Sequence, residues 1–283
     1  MNKVLILTDS TADLSQGLMI KHDIQSVPLY IRFDEEVYLD GIDITTEELY
    51  EKVMEKGTLA KSSGLRSADF LITFRKFIAR EFDVVYIGVS SGLSGSVQAA
   101  DLARHEIAPN RIFIVDTKNL SSGVGLLVLK AVDLRDKGFS AQEIKRKIDQ
   151  MVPHVKTYFI IPDLTYLEMG NRLSGSQKFF GNIIKTKPII TIKDGNVEVI
   201  KKPYGDVTKA IGYLLKTFEK DSPNLDKDYL MVTHSYASKS AKYLRDSITE
   251  KYEIRNVIDS FAGCVISAHI GKGSIGLSYL TNK

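Results

Sequence analysis

The 283-residue chain contains a single cysteine, Cys264, set among apolar neighbours. A disulfide within the chain is excluded, and a cysteine-based metal site is disfavoured. The five histidines are scattered, and no pair has the helical spacing of metal ligands. No apolar run approaches the length of a membrane span. The N-terminal "MNKVLILTDSTADL" turns polar after Leu7, too early for the apolar region of a secretory signal, so a cytoplasmic location is expected. Charge is nearly balanced: the net value is +3 and the basic residues are spread, which argues against a nucleic-acid footprint. There is no low-complexity tract and no periodic repeat. "LSGS" occurs at Leu93–Ser96 and again at Leu173–Ser176, a recurrence that chance allows in a chain with this much glycine and serine.

What is present is ordinary globular composition, 43% hydrophobic and 26% charged, at a length that accommodates two domains. Short apolar runs alternate with helical patterns. "KVLILTDS" reads as a buried strand, with a helix pattern from Asp13, and "IQSVPLYIRF" as a second strand region. "TTEELYEKVMEKG" reads as a helix capped by Thr45 or Thr46 and stopped at Gly57. Phe70, Phe74 and Phe77 give the next helix an apolar face. "VVYIGV" and "RIFIVD" are strands, and "GVGLLVLKAVDLRDKG" is a largely buried helix. This is the βαβ signature of a parallel sheet covered on both faces. The character changes near residue 150. Beyond it come a strand at "TYFIIP", a looser stretch, and a hairpin around Asp194-Gly195. Helices and strands then alternate to the end. The expectation is α/β with two domains: a doubly wound, mostly parallel sheet over 1–150 and a mixed α/β domain over 151–283.

Polar clusters follow several of these strands, and ligands of open α/β sheets bind beyond the carboxyl ends of strands. In "TDSTADL", Ser10 or Thr11 reads as a helix cap, or Asp9 as a brace for nearby hydroxyls and amides. In "VSSGLSGSVQAADLA", the run Gly92-Leu93-Ser94-Gly95-Ser96 has its second glycine one place off the G-x-S-x-G elbow of serine hydrolases, and no lysine follows to make a P-loop. A hydroxyl- and amide-rich loop before a helix N-terminus suits an anion; a capped turn with no ligand is the other reading. Ser62 and Ser63 precede an amphipathic helix. Arg172 lies in a glycine-flanked turn, where most arginines are solvated or paired. His269 precedes Gly271, Gly273 and Gly276, and a histidine in an apolar run is more often a satisfied core residue than a ligand. His234 ends a strand, from which it could reach a cleft between the domains.

Six segments in order resemble the DegV family, the group that includes the fatty-acid-binding subunit of bacterial fatty acid kinase. They are "LTDSTADL", "YLDGIDITTEELYEKV", "VSSGLSGSVQAA", "VDTKNLSSGVGLLV", "YLEMGNRLS" and "AHIGKGSIGLSY". The resemblance spans nearly the whole chain. It implies two α/β domains with a long-chain fatty acid between them, the carboxylate held by hydroxyls and a histidine, and the tail in an apolar tunnel chiefly in the second domain. The carboxylate holders it implies are Ser62, Ser94 and His269, with the amide near Gly95. Asp9, Ser10, Ser63 and Ser91 would support them, and Arg172 would contact a partner. Three departures stand out. The family's T-S-Q-P-S reads Ser62-Ser63-Gly64-Leu65-Arg66, its G-G-R reads Gly170-Asn171-Arg172, and its proline after His-x-Gly is Lys272.

The implied function is a binding and presenting module. It encloses a long-chain fatty acid and offers the carboxylate to a separate ATP-dependent kinase subunit, the acyl phosphate feeding phospholipid synthesis. No cofactor or metal is implied, nor catalysis by this chain alone, and contact with a membrane would be transient. A lipid carrier or sensor without a kinase is the alternative. A hydrolase with Ser94, His269 and Asp9 as a triad is the third reading, against which the broken elbow argues. A buried carboxylate demands converging donors, each worth about 1.5–3 kcal/mol. Chain length, saturation, oligomeric state and the element that opens for entry are not legible in the sequence.

Overall fold

The computed structural model describes residues 2–162, 164–172 and 186–282. Most of the looser stretch expected before the hairpin, including the second "LSGS", lies outside the described residues. In chain order, β1 (Lys3–Asp9) ends in a 3-10 turn, Ser10–Ala12, followed by α1 (Gln16–Lys21) and β2 (Ile24–Val27). Next come β3 (Tyr30–Phe33), β4 (Glu36–Leu39), α2 (Thr46–Lys56), β5 (Lys61–Ser63) and α3 (Ser67–Ile78). β6 (Phe82–Gly88), α4 (Ser96–Ile107), β7 (Ile112–Asp116), α5 (Ser122–Asp136) and α6 (Ala141–Met151) complete the first part. The second holds β8 (Val155–Ile160), α7 (Thr165–Met169), β9 (Ile189–Lys193), β10 (Asn196–Lys201), α8 (Val207–Asp221) and β11 (Leu225–His234). It closes with α9 (Ser238–Thr249), β12 (Asn256–Phe261), α10 (Cys264–Ile270) and β13 (Ile275–Thr281).

The first sheet is parallel throughout, in the order β2-β1-β6-β7. Side chains alternate across a strand, so each strand feeds two cores. Leu5, Leu7, Val84 and Tyr86 pack with Phe70, Phe74 and Ala100 of α3 and α4 on one face. Ile6, Val85 and Ile87 pack with residues of α5 and α6 on the other. The second sheet, β10-β9-β8-β13-β11-β12, is antiparallel except for the β11–β12 pair. α5 touches both sheets and is buried on nearly every side. Its Gly125 lets the helix approach the 3-10 turn, for a Cβ there would stand 2.8 Å from the Ala12 carbonyl oxygen. Lys130, inside this helix, survives burial because its ammonium donates to Asp226 at 2.6 Å and Asp228 at 2.7 Å.

Several local expectations are met. Thr45 caps α2 with a Glu48 capping box, and Gly57 ends it at φ 65°. Asp194 and Gly195, both at positive φ, turn the β9–β10 hairpin. Others differ. The run 24–33 is two strands in two sheets, because Pro28 interrupts it and β3 joins a small antiparallel sheet, β4-β3-β5. No helix starts at Asp13. That residue is left-handed, φ 50°, and its buried carboxylate accepts from Gly263 N–H at 2.8 Å and the Ser121 hydroxyl at 2.5 Å. Asp40 accepts from Cys264 N–H at 2.8 Å. Two aspartates from the first part thus hold the start of α10.

Candidate functional site

The carboxyl end of the parallel sheet faces a narrow cavity of about 50 Å³. One wall is α10, which contributes Val265, Ile266, His269 and Ile270. Opposite stand Ile190 of β9 and Val197 of β10, which share one face of the hairpin. Leu93, Leu120 and Leu167 close the apolar part. Among the described residues no aromatic side chain lines it, apart from the imidazole of His269.

The polar groups converge from three segments. Ser62 and Gly64 alternate onto one side of the chain at the end of β5. Ser62 Oγ lies 2.7 Å from His269 Nε2. Gly64 packs on the serine loop so closely that a Cβ would stand 2.6 Å from Ser94 Oγ. Ser94 Oγ accepts from Ser96 N–H at 3.2 Å and lies 2.9 Å from Ser96 Oγ, which itself accepts from Leu65 N–H at 3.1 Å. Either hydroxyl can donate in that pair; when Ser96 does, Ser94 has its own proton to give to another acceptor.

His269 is enclosed. Gly170, at the end of α7, lies against its other nitrogen, Nδ1, which has no hydrogen-bond partner among the described residues. Burial pushes its pKa down to about 4, and the neighbouring charge of Arg172 acts in the same direction. The imidazole is therefore neutral at pH 7. An orphaned N–H is costlier than an orphaned lone pair, so the proton belongs on Nε2, donating to Ser62 Oγ. The Ser62 hydroxyl proton then points elsewhere.

The remaining sequence candidates divide into braces and bystanders. Asp9 is fully buried at the end of β1, and burial raises its pKa. Its carboxylate accepts from Thr11 N–H (3.1 Å), the Thr11 hydroxyl, Tyr86 OH (2.8 Å) and Val89 N–H (3.1 Å). Thr11 and Val89 line the cavity, so Asp9 shapes its wall. These four bonds account for Asp9, and His269 Nε2 engages Ser62 and not Ser94; the three residues of a hydrolase triad are not assembled. Ser10 Oγ accepts from Leu29 N–H at 3.1 Å, fixing another lining residue. Ser63 sits in β5, paired with Tyr30, and does not line the cavity. Ser91 accepts from Lys118 Nζ at 2.7 Å, outside the cavity. Gly95 is the exposed N-cap of α4 and also lies outside it. His234 ends β11 as expected, but its ring stacks edge-on against Phe261, away from the cavity. Arg172, expected at a partner surface, is half-buried in the cavity wall, and burial lowers its pKa.

Sequence reasoning named Thr11 only as a helix cap and Gly170 only within the altered G-G-R segment, and passed over Leu29 and the lining role of Ile190 and Val197. The alternation of the hairpin was the available signal for the last two.

Comparison with known proteins bears on the family and the fold. A family model described as an uncharacterised protein of the DegV family matches residues 3–282. A DegV domain-containing protein of Caldanaerobacter subterraneus is 31% identical over 280 residues, covering 99% of each chain. A solved DegV family protein from Thermus thermophilus, described by its fatty acid binding, superposes with a TM-score of 0.92 at 29% identity, covering 99% of this chain and 100% of that one. A stearic acid-binding protein from Eubacterium ventriosum superposes at 0.86 with 26% identity, covering 99% of this chain and 98% of its own.

Proposed function

The chain belongs to the DegV family, and from that premise we propose that it binds a long-chain fatty acid in the cavity between the two sheets. The carboxylate lies at the Ser62–Ser94–His269 end and the tail along the aliphatic walls. The observation that carries this reading is the make-up of the cavity wall: Ser62, Ser94 and His269 gathered by close contacts of β5, the serine loop and α10, and Leu, Ile and Val side chains making most of the rest. Ser62 and Ser94 each have a hydroxyl proton to give, and a carboxylate needs such donors if it is to leave water. His269, donating from Nε2, polarises the Ser62 hydroxyl and fixes its direction. Ser63, Ser91 and Gly95 act only through the loops they belong to.

Presentation to a separate ATP-dependent kinase subunit is the second part of the proposal. A carboxylate oxygen would attack the γ-phosphorus of ATP on that subunit, ADP would leave, and the acyl phosphate would pass to phospholipid synthesis. The resemblance of "YLEMGNRLS" to the segment that the family uses with its kinase supports this part. The departures at Gly64, Leu65 and Asn171 keep a carrier or sensor as the second reading.

Lipid extracted from the purified chain and from Ser94→Ala, identified by mass spectrometry, tests the first part. Near-stoichiometric fatty acid in the wild type, reduced in the variant, is expected; no lipid in either, with added fatty acid also refused, refutes it. ATP-dependent acyl phosphate formation with a matched kinase subunit separates the presenting module from a carrier.

A further inference from the structure

The serine loop between β6 and α4 holds a second buried hydroxyl. Ser90, at its start, is fully buried and does not line the cavity. Its hydroxyl accepts from Gly92 N–H at 3.1 Å and donates to the Gly195 carbonyl oxygen at 2.7 Å. Gly195 turns the β9–β10 hairpin, so this bond joins the first part of the chain to the second. The two segments meet without slack. A Cβ on Gly92 would stand 2.6 Å from the Gly195 carbonyl oxygen, and one on Gly195 would stand 2.6 Å from Ser90 Oγ. Through its backbone Ser90 also orders the rest of the loop: its carbonyl oxygen accepts from Leu93 N–H at 2.9 Å and from Ser94 N–H at 3.0 Å. Val89 and Leu93 of the loop and Ile190 and Val197 of the hairpin line the apolar part of the cavity and pack in one cluster. Ser90 therefore ties together two of its apolar walls.

We propose that Ser90 is a positioning residue for tail specificity: its bond to Gly195 latches the hairpin to the serine loop and sets the width an acyl chain can have. The inference rests on the fatty-acid reading above and deepens it. A straight saturated chain fits between walls that stay latched. A chain bent by a cis double bond is wider and must part them, so its binding includes the loss of the Ser90–Gly195 bond. A ligand shifts a conformational equilibrium only by its differential affinity for the two states, and the latch weighs on the bent chain alone. Removing the latch lifts that penalty, while the Ser94 amide keeps its bond to the Ser90 carbonyl oxygen and the carboxylate end keeps its place.

The test titrates stearate and oleate, which share length and head group and differ by a cis double bond, into the delipidated full chain. Ser90→Ala is expected to shift the ratio of the two affinities about fivefold toward oleate, the worth of one neutral hydrogen bond. Gly92→Ala keeps the Ser90 hydroxyl but wedges a methyl group against the Gly195 carbonyl oxygen, and Gly92 is not at positive φ, so its backbone accepts alanine. It should move the ratio the same way. Ser62→Ala, at the carboxylate end, should weaken both acids by the same factor. A ratio unmoved in Ser90→Ala, or moved toward stearate, overturns the assignment while leaving the fatty-acid reading intact; an equal loss of both acids is such a result and marks a structural role. So does a shift in Ser62→Ala as large as in Ser90→Ala. If Ser90→Ala does not fold, an unmoved ratio in Gly92→Ala overturns the assignment in its place. A wild-type chain that binds neither acid overturns the fatty-acid reading, and the assignment falls with it.

Discussion

Replacing Gly170 by alanine probes the contact on which the polar end of the cavity depends. Gly170 has φ −73°, so alanine fits its backbone without strain. It does not fit the space. A Cβ would stand 2.4 Å from His269 Nδ1 and 2.7 Å from Cε1, where ordinary contacts begin at about 3.5 Å. Either the ring or the α7 end must move by roughly 1 Å. A ring displaced that far breaks its 2.7 Å bond with Ser62. A displaced α7 end carries Arg172 with it. Overpacking of this kind costs about 1–3 kcal/mol, and the lost bond adds about 1. The sum, about 2–4 kcal/mol, corresponds to a fall in Tm of roughly 4–16 °C for a chain of this size. Fatty acid affinity should drop about tenfold, since one charged hydrogen bond is lost or bent. Gly212→Ala is the control. Gly212 lies in α8, where an added Cβ would meet nothing within 4 Å, and a glycine-to-alanine change inside a helix is stabilising by up to about 1 kcal/mol. Thermal unfolding and fatty acid titration of the two variants side by side decide the matter. An unchanged Tm and affinity in Gly170→Ala, or an equal fall in Gly212→Ala, would refute this packing.

Three further outcomes follow from the buried ionisable groups. Burial raises Asp13 from 3.8 to about 8, so the folded chain holds a proton that the unfolded chain releases. Stability should therefore decline as pH rises from about 4 through about 8, and Asp13→Asn should flatten that decline in Tm measured between pH 6 and pH 9. For His269, held down to about 4, histidine side-chain NMR should show a neutral ring from pH 8 to pH 5; a midpoint near 6.5 would contradict its enclosure. Lys130→Ala leaves Asp226 without its cation while Asp228 keeps Arg255, and should cost about 1–3 kcal/mol by chemical denaturation; a loss under about 0.5 kcal/mol would show that the cluster is solvated.

Much of this molecule is legible in its sequence, for reasons that differ by element. β1, β6 and α5 are long apolar runs buried on two sides, so hydrophobicity alone marks them. α2 announces itself through Thr45, Glu48 and Gly57. The hairpin is carried by Asp194-Gly195. α6 passes unmarked, although Ser140 and Glu143 form a capping box ahead of it; the change of character near residue 150 is its end. α10 is harder. Seven residues, "CVISAHI", six of them buried, have no polar face to give a helical period. β5 is three residues long, set by pairing with β3 and not by its own pattern. The gathering of Ser62 and His269, 207 positions apart, comes from resemblance, and no local signal could have supplied it. Arg172 shows the limit of that route: a motif carries a residue's identity, but its burial depends on how α7 packs against α10.

α10 has one more implication. It is pinned at its start by Asp13 and Asp40 and bears both the imidazole and three of the aliphatic walls. In the fatty-acid reading, head and tail would thus both meet a single short rod, and a substitution that widens the cavity from this side also tilts the imidazole. Retuning acyl preference, by divergence or by engineering, has a freer path on the facing hairpin. Ile190 and Val197 line the cavity from strands at the sheet margin. Size changes there leave the carboxylate end in register, so variation between DegV proteins with different acyl preferences should concentrate on the hairpin and spare the rod.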